Sequence, residues 1–218
     1  MEYPQVPASS EIYSKSSFNP LSFKGNYHVK TLEQVYALSK THEKCQLWSP
    51  DVRKKHREQG FNYIHIGLVQ VAVKPLTQNG INVFVLLCPH KARLTDYSTS
   101  ILGIIESNLH NGPIHFDYFP NFTLSLSDKY LLKALTLNIK TSGYEMLEGS
   151  QPLALIYRIY YKCIRTNLNV HALVKSPKDQ TLLIQSHASD ANIRVPKSIR
   201  WNEVTLPNDW FLENETQP

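Results

Sequence analysis

His115 and Asp117 stand two residues apart in "NGPIHFDYFP". On a strand, that spacing puts an imidazole and a carboxylate on one face, a pairing used for general acid–base work. Nothing nearby is marked as a nucleophile, and same-face polar pairs are common on exposed strands. A catalytic reading would therefore need a deep polar pocket around the two. His42 with Cys45, and Cys88 with His90, have ligand-like spacing, but neither has a partner pair at zinc-site distance and HExxH is absent. GxGxxG, the P-loop pattern and GxSxG are also missing, which removes the simple dinucleotide, nucleotide-phosphate and α/β-hydrolase readings. A metal-dependent nuclease needs clustered carboxylates, and the strand-rich region is poor in them.

A different chemistry is offered by "PLALIYRIYYK". Alternation places Arg158, Tyr160 and Lys162 on one face, opposite Leu155, Tyr157, Ile159 and Tyr161. Lys140 and Arg165 add positive charge from nearby segments, as do Lys175 and Lys178. Cations that track phosphates, with aromatics that stack on bases, are what sequence-independent single-strand binding requires. The same residues fit a tyrosine packed into a sandwich with its neighbouring cations solvated, and composition does not choose between the two. A second basic group is "RKKHR", with Arg53, Lys54, Lys55 and Arg57. It is a solvated helix face or a contact for an anionic partner.

The elements that must position these groups are mostly strands. "FNYIHIGLVQVAVK" has period two, with Ile64, Ile66 and Leu68 expected on one face and Val69, Val71 and Val73 on the other. The switch falls just after Gly67, where a bulge or sharp bend is expected. Asn79-Gly80 predicts a hairpin turn, with "INVFVLL" as the returning strand. Tyr97 to Leu109 is ambiguous between helix and strand. Ile114 to Ser127 alternates cleanly, and Pro120 makes it an edge strand or two strands. Further strands are read around Leu135–Ile139, in "PLALIYRIYYK" and in "QTLLIQS". Thr31 with Gln34 suggests a capping box opening a helix through "LEQVYALSK". Ser49-Pro50 opens a second helix, which Gly60 ends.

Seven or eight short strands with turn residues between them predict a mainly β chain, an antiparallel sandwich of jelly-roll type with a few short helices. The organisation read from this pattern is an irregular arm at 1–28, a helical lead-in at 29–60, a sandwich at 61–186 and a C-terminal extension at 187–218. The chain has 218 residues and a net charge of +5, from 23 basic and 18 acidic residues, which allows but does not demand an acidic partner. Cys45, Cys88 and Cys163 are odd in number and far apart, so a reducing compartment is expected. "MEYPQVPASS" has neither a basic start nor an apolar core, and no run reaches the length of a membrane span, so neither a secretory signal nor a spanning segment is expected.

Taken in order, "FNYIHIGLVQVAVKPL", "GINVFVLLCPHKARL", "NGPIHFDYFPNFTLSLSD", "LTLNIKTSGYEMLEGSQPLALIYRIYYK" and "LLIQS" resemble the plant-virus cell-to-cell movement proteins of the thirty-kilodalton superfamily. The similarity is to the pararetrovirus (caulimovirus-like) branch, including integrated copies and polyprotein fragments. It runs from about Gly60 to Ser186 and is carried by order and spacing, not by any single segment. The resemblance implies a jelly-roll-like sandwich related to capsid proteins, no enzymatic activity and no cofactor. It implies binding of single-stranded nucleic acid and self-association into complexes or tubules. Viral coat protein and host plasmodesmal proteins are the further partners it implies, with a location at plasmodesmata and the periphery of the host plant cell, on the cytoplasmic side. Where the superfamily usually has an aspartate after the strand matching "NVFVLL", this chain has Lys91, ahead of Arg93. The alternative is a capsid-like structural protein with the same fold. Capsids often neutralise packaged genome with a basic arm, and the arm here has few cations, which favours the movement reading.

Overall fold

Strands form where Val, Ile, Leu and aromatic residues recur at every second position, because a pleated chain can then bury one face. The computed structural model describes residues 7, 9–13, 27–36, 42–76, 84–90, 101–143, 153–165, 180–186, 197–200 and 203. The strands are β1 (Tyr27–Tyr36), β2 (His42–Gln46), β3 (Tyr63–Pro75), β4 (Phe84–His90), β5 (Gly103–Asn108), β6 (Ile114–Tyr118), β7 (Phe122–Ser125), β8 (Thr136–Ser142), β9 (Leu153–Ile164), β10 (Gln180–Ser186) and β11 (Lys197–Arg200). Among the described residues two α-helices, α1 (Ser9–Ile12) and α2 (Pro50–Glu58), accompany them. One sheet runs β1-β9-β3-β6, with β7 also on β3; the other runs β11-β10-β5-β4-β8-β2. Side chains of both sheets meet in one core, with Ile64, Val71, Leu124, Tyr157 and Ile159 from the first facing Cys45, Ile105, Leu137 and Ile139 from the second. The chain crosses repeatedly between the sheets, so the expected mainly β, jelly-roll-like sandwich is the fold observed.

The pairing of β3 with β9 is the longest among the described residues, from Tyr63↔Ile164 to Pro75↔Leu153. Its register shifts between Ile66 and Leu68, so Gly67 is an extra residue in β3, as expected from the sequence. The bulge changes the faces, however. Ile64, Ile66, Val69, Val71 and Val73 all enter the common core, while Leu68 turns to the outer face. One inserted residue flips the alternation, which lets two apolar runs of opposite parity bury the same way. Ile114, Phe116, Phe122, Leu124, Leu126, Leu135, Leu137, Leu155, Tyr157 and Ile159 are buried, as their periodicity predicts.

Several expectations change. Residues 31–36 are strand, not helix: β1 pairs along β9 from Tyr27↔Lys162 to Tyr36↔Leu153. A capping-box pattern is a weak local preference, and pairing with the free edge of a long strand overrides it. β4 is a strand as expected, but it pairs with β5 and β8 in the other sheet and does not return along β3. Asn79-Gly80 itself lies outside the described residues, as do Lys91 and Arg93. The ambiguous segment before Leu109 contains β5. Pro120 separates β6 from β7, and both lie on the same side of β3. β10 runs parallel to β5, a departure from an all-antiparallel layout. Strands β1, β2 and β11 complete the sheets from outside residues 61–186.

Part of the expected irregular arm is ordered against the outer face of the first sheet. Ile12 and Tyr13 are buried there with Leu68 and Tyr160, and the partly buried Phe119 packs against them. The Tyr13 hydroxyl lies 2.9 Å from His65 Nδ1 and donates to the His65 carbonyl at 3.0 Å. His65 Nε2 faces Asn121 Oδ1 at 3.1 Å, and Asn121 reaches it from a left-handed turn with φ of 45°. Gly67 makes the approach possible: a Cβ there would lie 2.7 Å from the Tyr13 hydroxyl and 2.9 Å from Ile12 Cγ2.

Gly67→Ala should expel Ile12 and Tyr13 without breaking β3, because the clashing atoms are side-chain ends. The expected cost is about 1–3 kcal/mol of stability. Amide exchange at residues 9–13 should accelerate while β3 and β9 stay protected. Unchanged exchange at residues 9–13 would show that this segment does not occupy the Gly67 notch in solution.

Candidate nucleic-acid interface

Arg158, Tyr160 and Lys162 share the outer face of β9, as alternation requires, but they do not form an open aromatic platform. β9 is an interior strand with β1 on one side and β3 on the other. Arg158 and Lys162 are half-buried, and Tyr160 is 2% exposed. The Tyr160 hydroxyl donates to Gln70 Oε1 at 3.0 Å, and Gln70 Nε2 donates to Asp117 Oδ2 at 3.2 Å. Arg158 also hydrogen-bonds Tyr160; burial nonetheless pushes the phenol pKa up. Desolvation lowers the pKa of Lys162 and raises that of Asp117, opposed in Asp117 by the Gln70 bond. With Ile12, Tyr13 and Leu68 over it, Tyr160 is not available to stack on a base. The sequence offered a packed tyrosine as the other reading, and packing is what occurs.

Lys140 is not beside these residues. On β8, Leu137 and Ile139 enter the core, so alternation turns Lys140 to the outer face of the second sheet, across the sandwich from Arg158. Arg165 is exposed just past the end of β9, with its guanidinium 5.7 Å from the Phe61 ring centroid. That places it with α2, not with Arg158. His115 and Asp117 share a face of β6, as expected, and Asp117 is bonded to Gln70.

The basic helix is fixed by its apolar side. Pro50 begins it, Asp51 lies in its first turn, and Lys55, His56 and Arg57 complement the dipole in its last turn. Val52 and His56, one turn apart, face inward: Val52 packs on the core and His56 is 1% exposed. His56 Nδ1 faces Gln59 Oε1 at 3.0 Å, so it donates, and Nε2 accepts from the Tyr161 hydroxyl at 2.9 Å. Arg53 Nε donates to the Leu126 carbonyl at 3.0 Å, tying the helix to the chain after β7. Lys54, Lys55 and Arg57 are left exposed. Pro50, Arg53, Lys54, Arg57 and Glu58 line an open depression of about 440 Å³.

The same end of the sandwich carries Arg165, Lys129 and Lys133, all exposed. It is stitched by Leu126 N to Asn62 O at 2.8 Å, Asn62 N to Ile164 O at 3.1 Å and Asn62 Nδ2 to Arg165 O at 2.8 Å. Asp51, Glu58 and Asp128 are the nearby acids, so cations predominate. Sequence reasoning missed Lys129 and Lys133; the signal was a polar "SDKYLLK" turn with lysines four apart. It also missed Ile12 and Tyr13, an adjacent apolar pair within the arm. Among the described residues no three His, Cys, Asp or Glu side chains gather as a metal site, and no helix is long and apolar enough to cross a membrane.

A family model described as viral movement protein matches residues 6–177. The chain belongs to that family. It is 31% identical over 160 residues to the genome polyprotein of Petunia vein clearing virus (isolate Shepherd), a match covering 71% of this chain and 7% of the polyprotein. It is 23% identical over 200 residues to the movement protein of Carnation etched ring virus, covering 86% of this chain and 60% of that protein. The chain thus spans less than two thirds of these relatives' length. Among solved structures, Desmodium yellow mottle tymovirus aligns over 82% of this chain and all of its own, with 14% identity and a TM-score of 0.45.

Burial holds the His56 pKa below its ordinary 6.5, with the Lys55 charge adding and the Gln59 bond opposing. The unfolded chain therefore takes up this proton at higher pH than the folded one. Stability from neutral His56 is complete above the ordinary 6.5 and is lost as pH falls through the lower folded value. The urea midpoint should drop on acidification below that point, and His56→Gln should flatten the drop. An equal drop in both proteins would place the titrating group elsewhere.

Proposed function

We propose that this chain is the nucleic-acid-binding core of a movement protein. It binds single-stranded nucleic acid with little sequence preference and, with copies of itself, carries a viral genome between plant cells through plasmodesmata. Its place is the cytoplasmic side of the cell periphery, and viral coat protein and host plasmodesmal proteins are its further partners. Family membership supports the movement role. The observation that carries the binding site is the group of exposed cations at one end of the sandwich, Lys54, Lys55 and Arg57 with Arg165 beside them. Phosphates prefer such a surface because bound cations release condensed counterions, and an exposed ammonium or guanidinium need not be dehydrated first. Arg158 and Lys162 are secondary contacts, since each is half-buried on a face that residues 12 and 13 partly cover.

Replacing Lys54, Lys55 and Arg57 with Ala should flatten the salt dependence of single-strand binding by about two units of log–log slope, at roughly 0.7 per phosphate contact. Folding should be nearly unaffected, because exposed charges contribute little to stability. The double change Arg158→Ala and Lys162→Ala should alter the slope less. A salt titration with labelled oligonucleotides measures both, with circular dichroism as the folding control. The reverse ranking would move the interface to β9. A fluorescent fusion in leaf cells should gather as puncta or tubules at cell walls; diffuse fluorescence would count against the transport role.

A further inference from the structure

We propose that Tyr130 is a base-stacking platform beside the α2 cations, and that it makes this end of the sandwich select unpaired nucleic acid over duplex. This rests on the phosphate-binding reading of α2 and adds what that charge alone lacks, since cations grip duplex and single strand alike. Two large apolar side chains are exposed among the described residues, and Tyr130 is the more exposed at 53%.

The ring is held out by a fixed backbone. Asp128 Oδ1 accepts from Tyr130 N at 2.9 Å, Asp128 O accepts from Leu131 N at 3.2 Å, and Tyr130 O accepts from Lys133 N at 3.0 Å. Leu131, the next residue, is 1% exposed in the core. Little backbone entropy is then left to lose when a base settles on the ring.

Lys129 Nζ lies 4.8 Å from the ring centroid, so a cation already accompanies the aromatic face. The Arg53–Leu126 bond ties this turn to α2, and Val52 and Leu132 pack on the same core. A strand whose phosphates follow Lys54, Lys55 and Arg57 can turn a base toward Tyr130. A duplex keeps its base faces stacked inside and cannot.

The test compares a single-stranded oligonucleotide with its blunt duplex, at one salt concentration, against the parent, Tyr130→Ala, Tyr130→Trp and the triple α2 variant. Tyr130→Ala should weaken single-strand binding roughly 5- to 100-fold. It should leave duplex binding and the salt slope unchanged, and Tyr130→Trp should restore the affinity. A fluorescent base analogue quenched by stacking should lose its quenching in Tyr130→Ala. Equal single-strand affinity in parent and Tyr130→Ala, with the triple variant weakened, overturns the stacking role alone. So does an equal loss on single strand and duplex. A parent that binds neither probe at low salt overturns the phosphate-binding reading and this one with it.

Discussion

The pairing of β3 with β9 is the constraint on which the other features depend. It joins the two longest strands in the middle of one sheet, and β1, β6 and β7 are placed against them. Within it, the extra residue at Gly67 decides which side chains enter the core. Without that shift, either Ile64 and Ile66 or Val69, Val71 and Val73 would face outward. A sandwich cannot leave such a run in water, because each large aliphatic side chain contributes about 1.5–3 kcal/mol on burial. The bulge also creates the bare backbone over which Tyr13 lies, so core packing and the cover on the outer face have one origin.

That cover redistributes the positive charge available to a partner. Cations on an interior strand share their surroundings with neighbouring strands and whatever packs above them. Arg158 and Lys162 are drawn into that setting, and Tyr160 is spent on a hydrogen-bonded chain through Gln70 to Asp117. Cations on a helix whose inner side is anchored have no such competition. His56, by bonding Tyr161 and Gln59, turns Lys54, Lys55 and Arg57 to solvent. The helix charge is partly explained by its own dipole, and Lys54, Lys55 and Arg57 remain exposed to solvent.

The strands were legible because period-two alternation is a local signal, and so was the bulge at Gly67, where the alternation changes parity. Burial of the β6, β7 and β9 faces followed from the same pattern. Pairing partners were not legible. β1 carries a helix-start pattern and becomes a strand only because β9 offers an edge, and β4 leaves its neighbour in sequence for the other sheet. The candidate site was legible as a set of residue types but not as a place. Alternation located Arg158, Tyr160 and Lys162 on one face, yet whether that face meets water depended on Ile12 and Tyr13, nearly 150 residues away in the chain. Lys140 was separated from them because β8 and β9 belong to different sheets.

The same β3–β9 pairing sets a timetable for synthesis. Val71 and Tyr157 are partners, as are Tyr63 and Ile164, so β3 leaves the ribosome long before the strand that completes it. At roughly 5–20 residues per second the interval is on the order of ten seconds. During it, a thirteen-residue segment with large apolar groups on both faces has no central partner. Such segments attract other chains, and crowded translation of many copies raises that hazard. β6 and β7 emerge earlier than β9 and pair with β3 on its other edge. Their pairing needs no residue of β9, so one edge of β3 can be covered before its central partner is made.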